Sequence, residues 1–348
     1  MVVDPADREN RLFDCRSESG NSDLHREPLR DLREGLSELG CALDTLDRWS
    51  DLDHADLVLF HVRDRATLGE CLRRRIAHRT VYLAWEPPVV QPLHSPPGLK
   101  RLARWFGRIL TWDLDLVDDR TFLELRYAHA LAPWDPSPMG FEDKGLLVNL
   151  SGNKTSTHPL ELYSARRRVI SCFEAGDPSF ELWGPGWDAM EHPSWRGVAP
   201  SKREVYHHFR FALCLENMRD APGYLTEKLL DCIQWGVVPV YWGDPRIREI
   251  LPPEAFVDYG ALRYPEALLE ELLSWDAERH QRALESGRAF LASSTAAGWS
   301  GRWLSGQIAR CLDLADSTPS TSSPGLADRL LLEGLRLLRR ARKGAGVR

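Results

Sequence analysis

The 348-residue sequence has no apolar run as long as the roughly 18 residues that a membrane-spanning helix needs. Its first residues are polar and acidic and lack the apolar core of a secretory signal peptide, so we expect a cytoplasmic protein. The net charge of −6 is too small to indicate nucleic-acid binding. These absences favour an ordinary globular protein, with enough length for about two domains.

Paired cysteines are also absent. The seven cysteines are scattered, and no two have CxxC spacing. Cys214, Cys232 and Cys311 fall within apolar segments, so we predict buried, reduced thiols. The sequence therefore argues against a disulfide framework and against a cysteine-ligated zinc site.

Short apolar runs alternate with helical patterns along the chain. Residues 55–62, 80–86 and 106–112 are predicted strands, and helical periodicity precedes the first strand and separates it from the second. The alternation restarts at residue 145, after a segment rich in proline and glycine, 131–145. Buried strands that alternate with helices form parallel sheets, so we predict an α/β fold of two facing Rossmann-like domains with a ligand cleft between them.

The predicted domains are residues 1–135 and 136–316. Residues 317–325 have the low complexity of a flexible linker. Residues 326–348 are basic, with leucines on one face of a predicted helix. Such a helix is typical of a segment that lies on a membrane surface, or of one that packs on the protein or on another protomer.

The segment from Phe211 to Pro245 concentrates polar side chains in one predicted strand–helix–strand unit. Its first strand ends at Leu215, at the sheet edge where parallel sheets bind ligands. A polar loop and a helix follow. The side chains that this unit brings together are Glu216, Asn217, Tyr224, Thr226, Glu227 and Lys228.

The start of the predicted helix fits a nucleotide. Thr226 can cap the helix, whose free N–H groups and positive dipole end suit a phosphate. Lys228 is unfavourable in the first turn unless an anion lies nearby. Glu227 can accept two hydrogen bonds from a ribose diol. Glu227 and Lys228 alone fit a solvated, capped helix equally well, but the whole set favours a nucleotide diphosphate site.

The run FALCLEN…GYLTEKLLDCIQWGVVPVYWGDP…ILPPEAFVD resembles the signature of the α-1,3/4-fucosyltransferase family, glycosyltransferase family 10. The resemblance covers residues 145–293 and includes LYSARRRVI and WGPGW, whereas the first half matches only at WEPP and RILTWDLDLV. It implies the GT-B fold, with an acceptor-binding N-terminal domain and a C-terminal domain that binds GDP-β-L-fucose. It also implies an inverting transfer of L-fucose to a glycan hydroxyl in an α-1,3/4-type linkage, with no cofactor required.

The resemblance also implies roles for individual residues. Glu86 matches the family's catalytic base, although Pro87 replaces a serine there; the alternative is an ordinary glutamate at a strand end. Arg166 matches an arginine that contacts the diphosphate. Lys202 is a further candidate, which an exposed helix lysine would explain equally well. The implied donor-binding set is Arg166, Lys202, Glu216, Asn217, Tyr224, Thr226, Glu227 and Lys228.

An Asp-x-Asp pair, Asp113 and Asp115, has the pattern that holds a divalent metal in GT-A enzymes. Because this pair follows a strand of the predicted acceptor domain in a GT-B fold, we expect a solvated loop and no metal.

The sequence does not decide the identity of the sugar donor or of the acceptor. Met218 and Leu225 depart from the family pattern, which leaves room for a different GDP-sugar, or for a non-catalytic relative that binds nucleotides or glycans. The expected acceptor is a GlcNAc-containing glycan or a surface polysaccharide. The basic segment 326–348 would hold such an enzyme at the inner face of the membrane.

Overall fold

The computed structural model describes residues 1–15, 26–49 and 51–316. The predicted linker 317–325 and the basic segment 326–348 lie outside these described residues. Across the described ranges, no helix has both the length and the apolar composition to cross a bilayer.

The N-terminal half forms a four-stranded parallel sheet. Its elements are α1 (Glu27–Glu38), β1 (Val58–Phe60), α2 (Arg65–Arg73), β2 (Thr80–Ala84), α3 (Pro96–Leu102), β3 (Arg108–Thr111) and β4 (Phe122–Glu124). The strands follow one another in chain order across the sheet. An apolar core lies on each face, so the predicted layering of strands and helices is confirmed.

The C-terminal half forms a five-stranded parallel sheet. Its strands are β5 (Gly145–Leu150), β6 (Glu181–Trp183), β7 (Phe209–Leu215), β8 (Val238–Trp242) and β9 (Val257–Asp258). Its helices are α4 (Tyr163–Gly176), α5 (Lys202–Tyr206), α6 (Glu227–Gln234), α7 (Ile247–Ile250), α8 (Tyr259–Leu262), α9 (Pro265–Leu273), α10 (Ala277–Leu291) and α11 (Ser294–Ala297), and α12 (Gly301–Asp316) ends the described chain.

The strand order in this second sheet is β6-β5-β7-β8-β9. The chain runs from β5 outward to β6 and then returns to the other side of β5 to form β7. Such a reversal opens a crevice at the carboxyl ends of the two central strands, and open α/β sheets bind ligands there. The fold therefore places the expected site just beyond Leu150 and Leu215.

Helix α12 returns to the N-terminal half. Its Leu304 and Ile308 share a core with Leu32 and Leu36 of α1. This packing differs from the predicted boundary, which assigned all of residues 136–316 to the second domain. The amphipathic pattern of α12 predicts a buried face, but it does not specify which half covers that face.

A small apolar cluster joins the two halves. Trp112 follows β3, and it packs with Met218, Ala221 and Tyr224 from the loop after β7. The ring centroids of Trp112 and Tyr224 are 5.0 Å apart. Gly223 has φ +94°, and a Cβ at this position would overlap the carbonyl oxygen of Trp112. The loop can therefore approach the N-terminal half this closely only with glycine at 223.

Candidate active site

Glu216, the first residue after β7, is completely buried. Its Oε1 accepts a hydrogen bond from the backbone N–H of Thr226 at 2.8 Å. Its Oε2 accepts from the Thr226 hydroxyl at 2.8 Å and from Lys228 Nζ at 3.1 Å. One carboxylate thereby ties the carboxyl end of β7 to the first turn of α6.

Lys228 has its anion within the chain. Burial alone would lower the pKa of Lys228, but Glu216 and Glu227 outweigh burial and raise it. Glu216 therefore supplies a nearby anion, which the sequence indicated that this lysine needs. Its side chain is still 24% exposed.

Thr226 is the N-cap of α6, as predicted, and its Oγ1 accepts from the backbone N–H of Lys228 at 3.5 Å. Beside it, Glu227 keeps 36% of its side chain exposed. Burial opposes ionisation, but Lys228 and Lys202 lower the pKa of Glu227. An ionised carboxylate with an exposed side can accept hydrogen bonds from a diol.

Asn217 and Tyr224 lie together in the loop between β7 and α6. The side-chain amide of Asn217 donates to the Tyr224 hydroxyl at 3.3 Å. Tyr224 is buried, and burial raises its pKa well above the ordinary value, so it is a neutral group. The structure places this phenol inside the cluster that joins the two halves.

Arg166 of α4 lies at the same strand end. It is buried, and its Nη2 donates to the carbonyl oxygen of Leu215 at 2.7 Å. Burial lowers the pKa of Arg166. The structure thus brings Arg166 together with Glu216 and Lys228, and all three belong to the implied donor-binding set.

Lys202 is bound to Asp231, a residue that the sequence analysis did not single out. Nζ of Lys202 lies 2.7 Å from Oδ2 of Asp231, and Nε2 of His129 lies 2.9 Å from Oδ1. The backbone N–H of Leu131 donates to His129 Nδ1, so Nε2 carries the proton that is donated to Asp231. Burial would raise the pKa of Asp231, but Lys202 and His129 lower it to about 2. An acidic residue between Leu229–Leu230 and Cys232–Ile233, all apolar, was the available signal.

Glu86 comes from the other half, just beyond β2. Burial raises its pKa, which Lys228 and Lys154 oppose and which Glu227 and Glu216 reinforce. Glu86 therefore lies close enough to the C-terminal half for charges there to act on it. A carboxylate with a raised pKa, held at a strand end opposite cations, is suited to general base catalysis.

Tyr127 lies between these two parts of the site and was missed from the sequence. Its ring centroid is 5.3 Å from that of Trp85 and 6.1 Å from that of Tyr224. Burial first, and then Glu86 and Glu227, raise the pKa of Tyr127 well above the ordinary value. The residue follows β4, a three-residue strand too short to show a periodic pattern.

Part of the C-terminal half is similar in sequence to known proteins. Residues 179–284 match the sequence model of glycosyltransferase family 10 (fucosyltransferase) C-term. An alpha-(1,3)-fucosyltransferase, FucT, of Helicobacter pylori is 36% identical over 103 residues, which are 26% of this chain and 21% of that protein. An alpha-(1,4)-fucosyltransferase of Arabidopsis thaliana is 31% identical over 68 residues, 19% of this chain and 17% of that protein. The similarity thus spans about a fifth of each relative.

Solved structures show the same fold. A crystal structure of an alpha1,3-fucosyltransferase superposes with a TM-score of 0.56 at 14% identity, over 88% of this chain and 90% of that chain. The DNA modifying enzyme beta-glucosyltransferase gives a TM-score of 0.50 at 12% identity, over 85% of this chain and 96% of that chain. The predicted GT-B fold is confirmed. With the match over residues 179–284, these findings show that the chain contains a region similar to the C-terminal domain of glycosyltransferase family 10.

Proposed function

We propose that this protein transfers L-fucose from GDP-β-L-fucose to a hydroxyl of a glycan acceptor, with inversion at the anomeric carbon. One observation carries the proposal: charges of the C-terminal half act on Glu86 of the N-terminal half. Lys228 lowers the pKa of Glu86, whereas Glu227 and Glu216 raise it. The similarity to fucosyltransferases supports the choice of donor.

The donor would occupy the crevice beyond β5 and β7. Its diphosphate would lie at the N-terminus of α6, where the helix dipole and Lys228 favour negative charge. Glu227 would accept hydrogen bonds from the ribose. Arg166, at the carbonyl end of β7, would add a second cation beside the leaving group.

Glu86 would act as the base. It would take the proton from the acceptor hydroxyl as the hydroxyl oxygen attacks the anomeric carbon. The bond from that carbon to the diphosphate oxygen would break at the same time, and GDP would leave with the added charge, stabilised by Lys228. A direct displacement of this kind forms no covalent enzyme intermediate and turns the β-linked donor into an α-linked product.

We also propose which domain binds each substrate and where in the cell the protein acts. Residues 1–135 would bind the acceptor, a GlcNAc-containing glycan or a surface polysaccharide, and residues 136–316 would provide most of the donor site. Residues 326–348 would bind the inner face of the membrane by charge. A chain lacking residues 326–348 should turn over soluble acceptors normally but not sediment with anionic vesicles; unchanged sedimentation would contradict this role.

Calorimetric titration with GDP, with UDP as the control nucleotide, tests the donor site. It should be run beside GDP-fucose turnover and transfer to a LacNAc-type acceptor. We expect GDP binding, weaker UDP binding and GDP-fucose turnover. GDP binding with turnover of another GDP-sugar would favour the alternative donor. Binding without turnover of any GDP-sugar would favour a non-catalytic relative, and no GDP binding would contradict the assigned site.

A further inference from the structure

Two hydrogen bonds connect the backbone of Glu86 to the interior of the N-terminal half. The rings of Tyr82, on β2, and His94 are both buried. His94 Nδ1 lies 2.6 Å from the carbonyl oxygen of Glu86, and His94 Nε2 lies 2.8 Å from the Tyr82 hydroxyl oxygen. Because a carbonyl oxygen can only accept, Nδ1 carries the ring proton and Nε2 accepts from the tyrosine hydroxyl. Each atom in these two hydrogen bonds therefore acts either as a donor or as an acceptor, and not as both.

The two residues after Glu86, Pro87 and Pro88, are buried, and neither can donate a backbone hydrogen bond. The chain then turns, with the N–H groups of Val90 and Gln91 donating to the Pro87 carbonyl at 2.9 Å. This turn brings His94 back beneath the end of β2, where its ring binds the Glu86 carbonyl.

We propose that His94, oriented by Tyr82, is a positioning residue that fixes the backbone of Glu86 and so holds its carboxylate toward the donor half. The inference rests on the proposed function, in which Glu86 is the base. A base must lie about 2.6–3.2 Å from the group that it deprotonates. A displacement of about 1 Å costs roughly 100-fold in rate, so one backbone hydrogen bond can matter greatly.

His94 keeps its role over the ordinary pH range. Burial lowers its pKa to about 4; the bond to the Glu86 carbonyl opposes this shift, and the charge of Arg63 adds to it. The ring is therefore neutral at neutral pH and presents the same donor and acceptor throughout.

The chain contains a matched control in His280 of α10. This ring is also buried, it binds a backbone carbonyl, that of Arg210, at 3.0 Å, and burial likewise lowers its pKa to about 4. Arg210 lies near the amino end of β7, whereas Glu216 follows the carboxyl end. A purely structural histidine would behave as His280 does.

The first test compares His94→Leu, His94→Asn and His280→Leu at saturating donor and acceptor. We expect His94→Leu to lower kcat by about 30-fold or more without changing the GDP dissociation constant, because GDP binds the other half. His94→Asn, whose amide can still donate to the Glu86 carbonyl, should recover much of that loss. His280→Leu should lower thermal stability and leave kcat within about twofold. Equal effects on kcat in the two leucine variants would overturn the inference.

The second test does not depend on turnover. It follows the side-chain carboxyl of Glu86 by carbon-13 NMR titration. Release of the backbone in His94→Leu should let the carboxylate reach solvent and move its pKa down toward the ordinary value, with no change in His280→Leu. An unchanged Glu86 titration in His94→Leu would overturn the inference whatever the activity. A wild-type chain that turns over no GDP-fucose would instead refute the proposed function.

Discussion

Nζ of Lys228 lies 3.1 Å from Oε2 of Glu216, so the cation at the start of α6 is paired with the carboxylate at the end of β7. Glu216 has no exposed surface, whereas Lys228 is 24% exposed. The pair joins the interior of the sheet to the mouth of the crevice and holds the ammonium in place before a ligand arrives. Such preorganisation favours binding of a negatively charged group.

Glu216→Gln should lower the free energy of unfolding by about 1–3 kcal/mol, because it removes the nearer of the two carboxylates paired with Lys228 and leaves only Glu227, at 3.9 Å. Partial exposure of the lysine keeps the loss below that of a fully buried pair. Urea denaturation measures the change. Glu38→Gln is the control, because Glu38 pairs with Arg302 on the surface, where both side chains are more than half exposed. The control should unfold at the wild-type midpoint, and equal midpoints for the two variants would contradict the prediction.

Glu86→Gln should lower the transfer rate by about 100-fold or more, because a neutral amide cannot accept the proton of the acceptor hydroxyl. The GDP dissociation constant should stay within about twofold, since the variant leaves the C-terminal half unchanged. Glu124→Gln, at the end of β4, is the matched control in the same half. Wild-type transfer by Glu86→Gln would show that another group is the base.

The pH dependence of kcat should show an acid limb above the ordinary glutamate pKa of 4.5, because burial raises the pKa of Glu86 and a base must be deprotonated. Lys154→Met should move this limb to higher pH, because the Lys154 charge lowers the pKa of Glu86. Lys100→Met, an exposed lysine of α3, should leave the limb in place. A limb that moves to lower pH in Lys154→Met would refute the assignment of Glu86 as the titrating base.

Much of the fold followed from the sequence because β7 from Phe211 onward and the whole of β8 are continuous apolar runs with turn residues around them. The fully buried thiols Cys214, Cys232 and Cys311 were predicted for the same reason. The short strand β4 was not predicted, since three residues show no periodicity. The amphipathic pattern of α12 could not predict that this helix packs on the N-terminal half, because packing between distant segments decides which half covers its apolar face.

For the candidate site, the sequence identified the side chains better than their partners. The run from Glu216 to Lys228 predicted a cluster at a strand end, and the structure places these residues together. The ion pair between Glu216 and Lys228 could not be predicted, because it depends on how α6 packs over β7. Lys202 was interpreted as a possible donor contact, and its bond to Asp231 emerges only when α5 and α6 are brought side by side.

Gly223→Ala should disrupt the loop between the halves, because a Cβ at φ +94° would overlap the carbonyl oxygen of Trp112. We expect a loss of more than about 2 kcal/mol in stability and weaker GDP binding, measured by urea denaturation and calorimetry. Gly40→Ala is matched in backbone conformation, with φ +79°, but a Cβ there meets nothing within 4 Å. It should cost only the left-handed strain of about 1–2 kcal/mol and leave GDP binding unchanged. Equal effects at the two positions would show that the contact with Trp112 is unimportant.

Asp231→Asn should destabilise the protein in a pH-dependent way. The pKa of Asp231 falls from 3.8 to about 2 in the folded chain, since Lys202 and His129 favour the carboxylate despite its burial. A lowered pKa stabilises the fold fully above the unfolded-state value of 3.8 and loses that effect as the pH falls toward 2. The variant should therefore be less stable than wild type by about 2 kcal/mol at neutral pH.

The difference in the free energy of unfolding between wild type and Asp231→Asn should stay constant as the pH falls to the unfolded-state pKa and should narrow below it. Urea denaturation at a series of pH values measures this difference. Asp135→Asn is the control, because Asp135 pairs with Arg203 at the surface, where both side chains are more than 40% exposed. The control should show no comparable gap at any pH. A gap between wild type and Asp231→Asn that stays constant below pH 3.8 would mean that the carboxylate charge is not what stabilises this contact between the two halves.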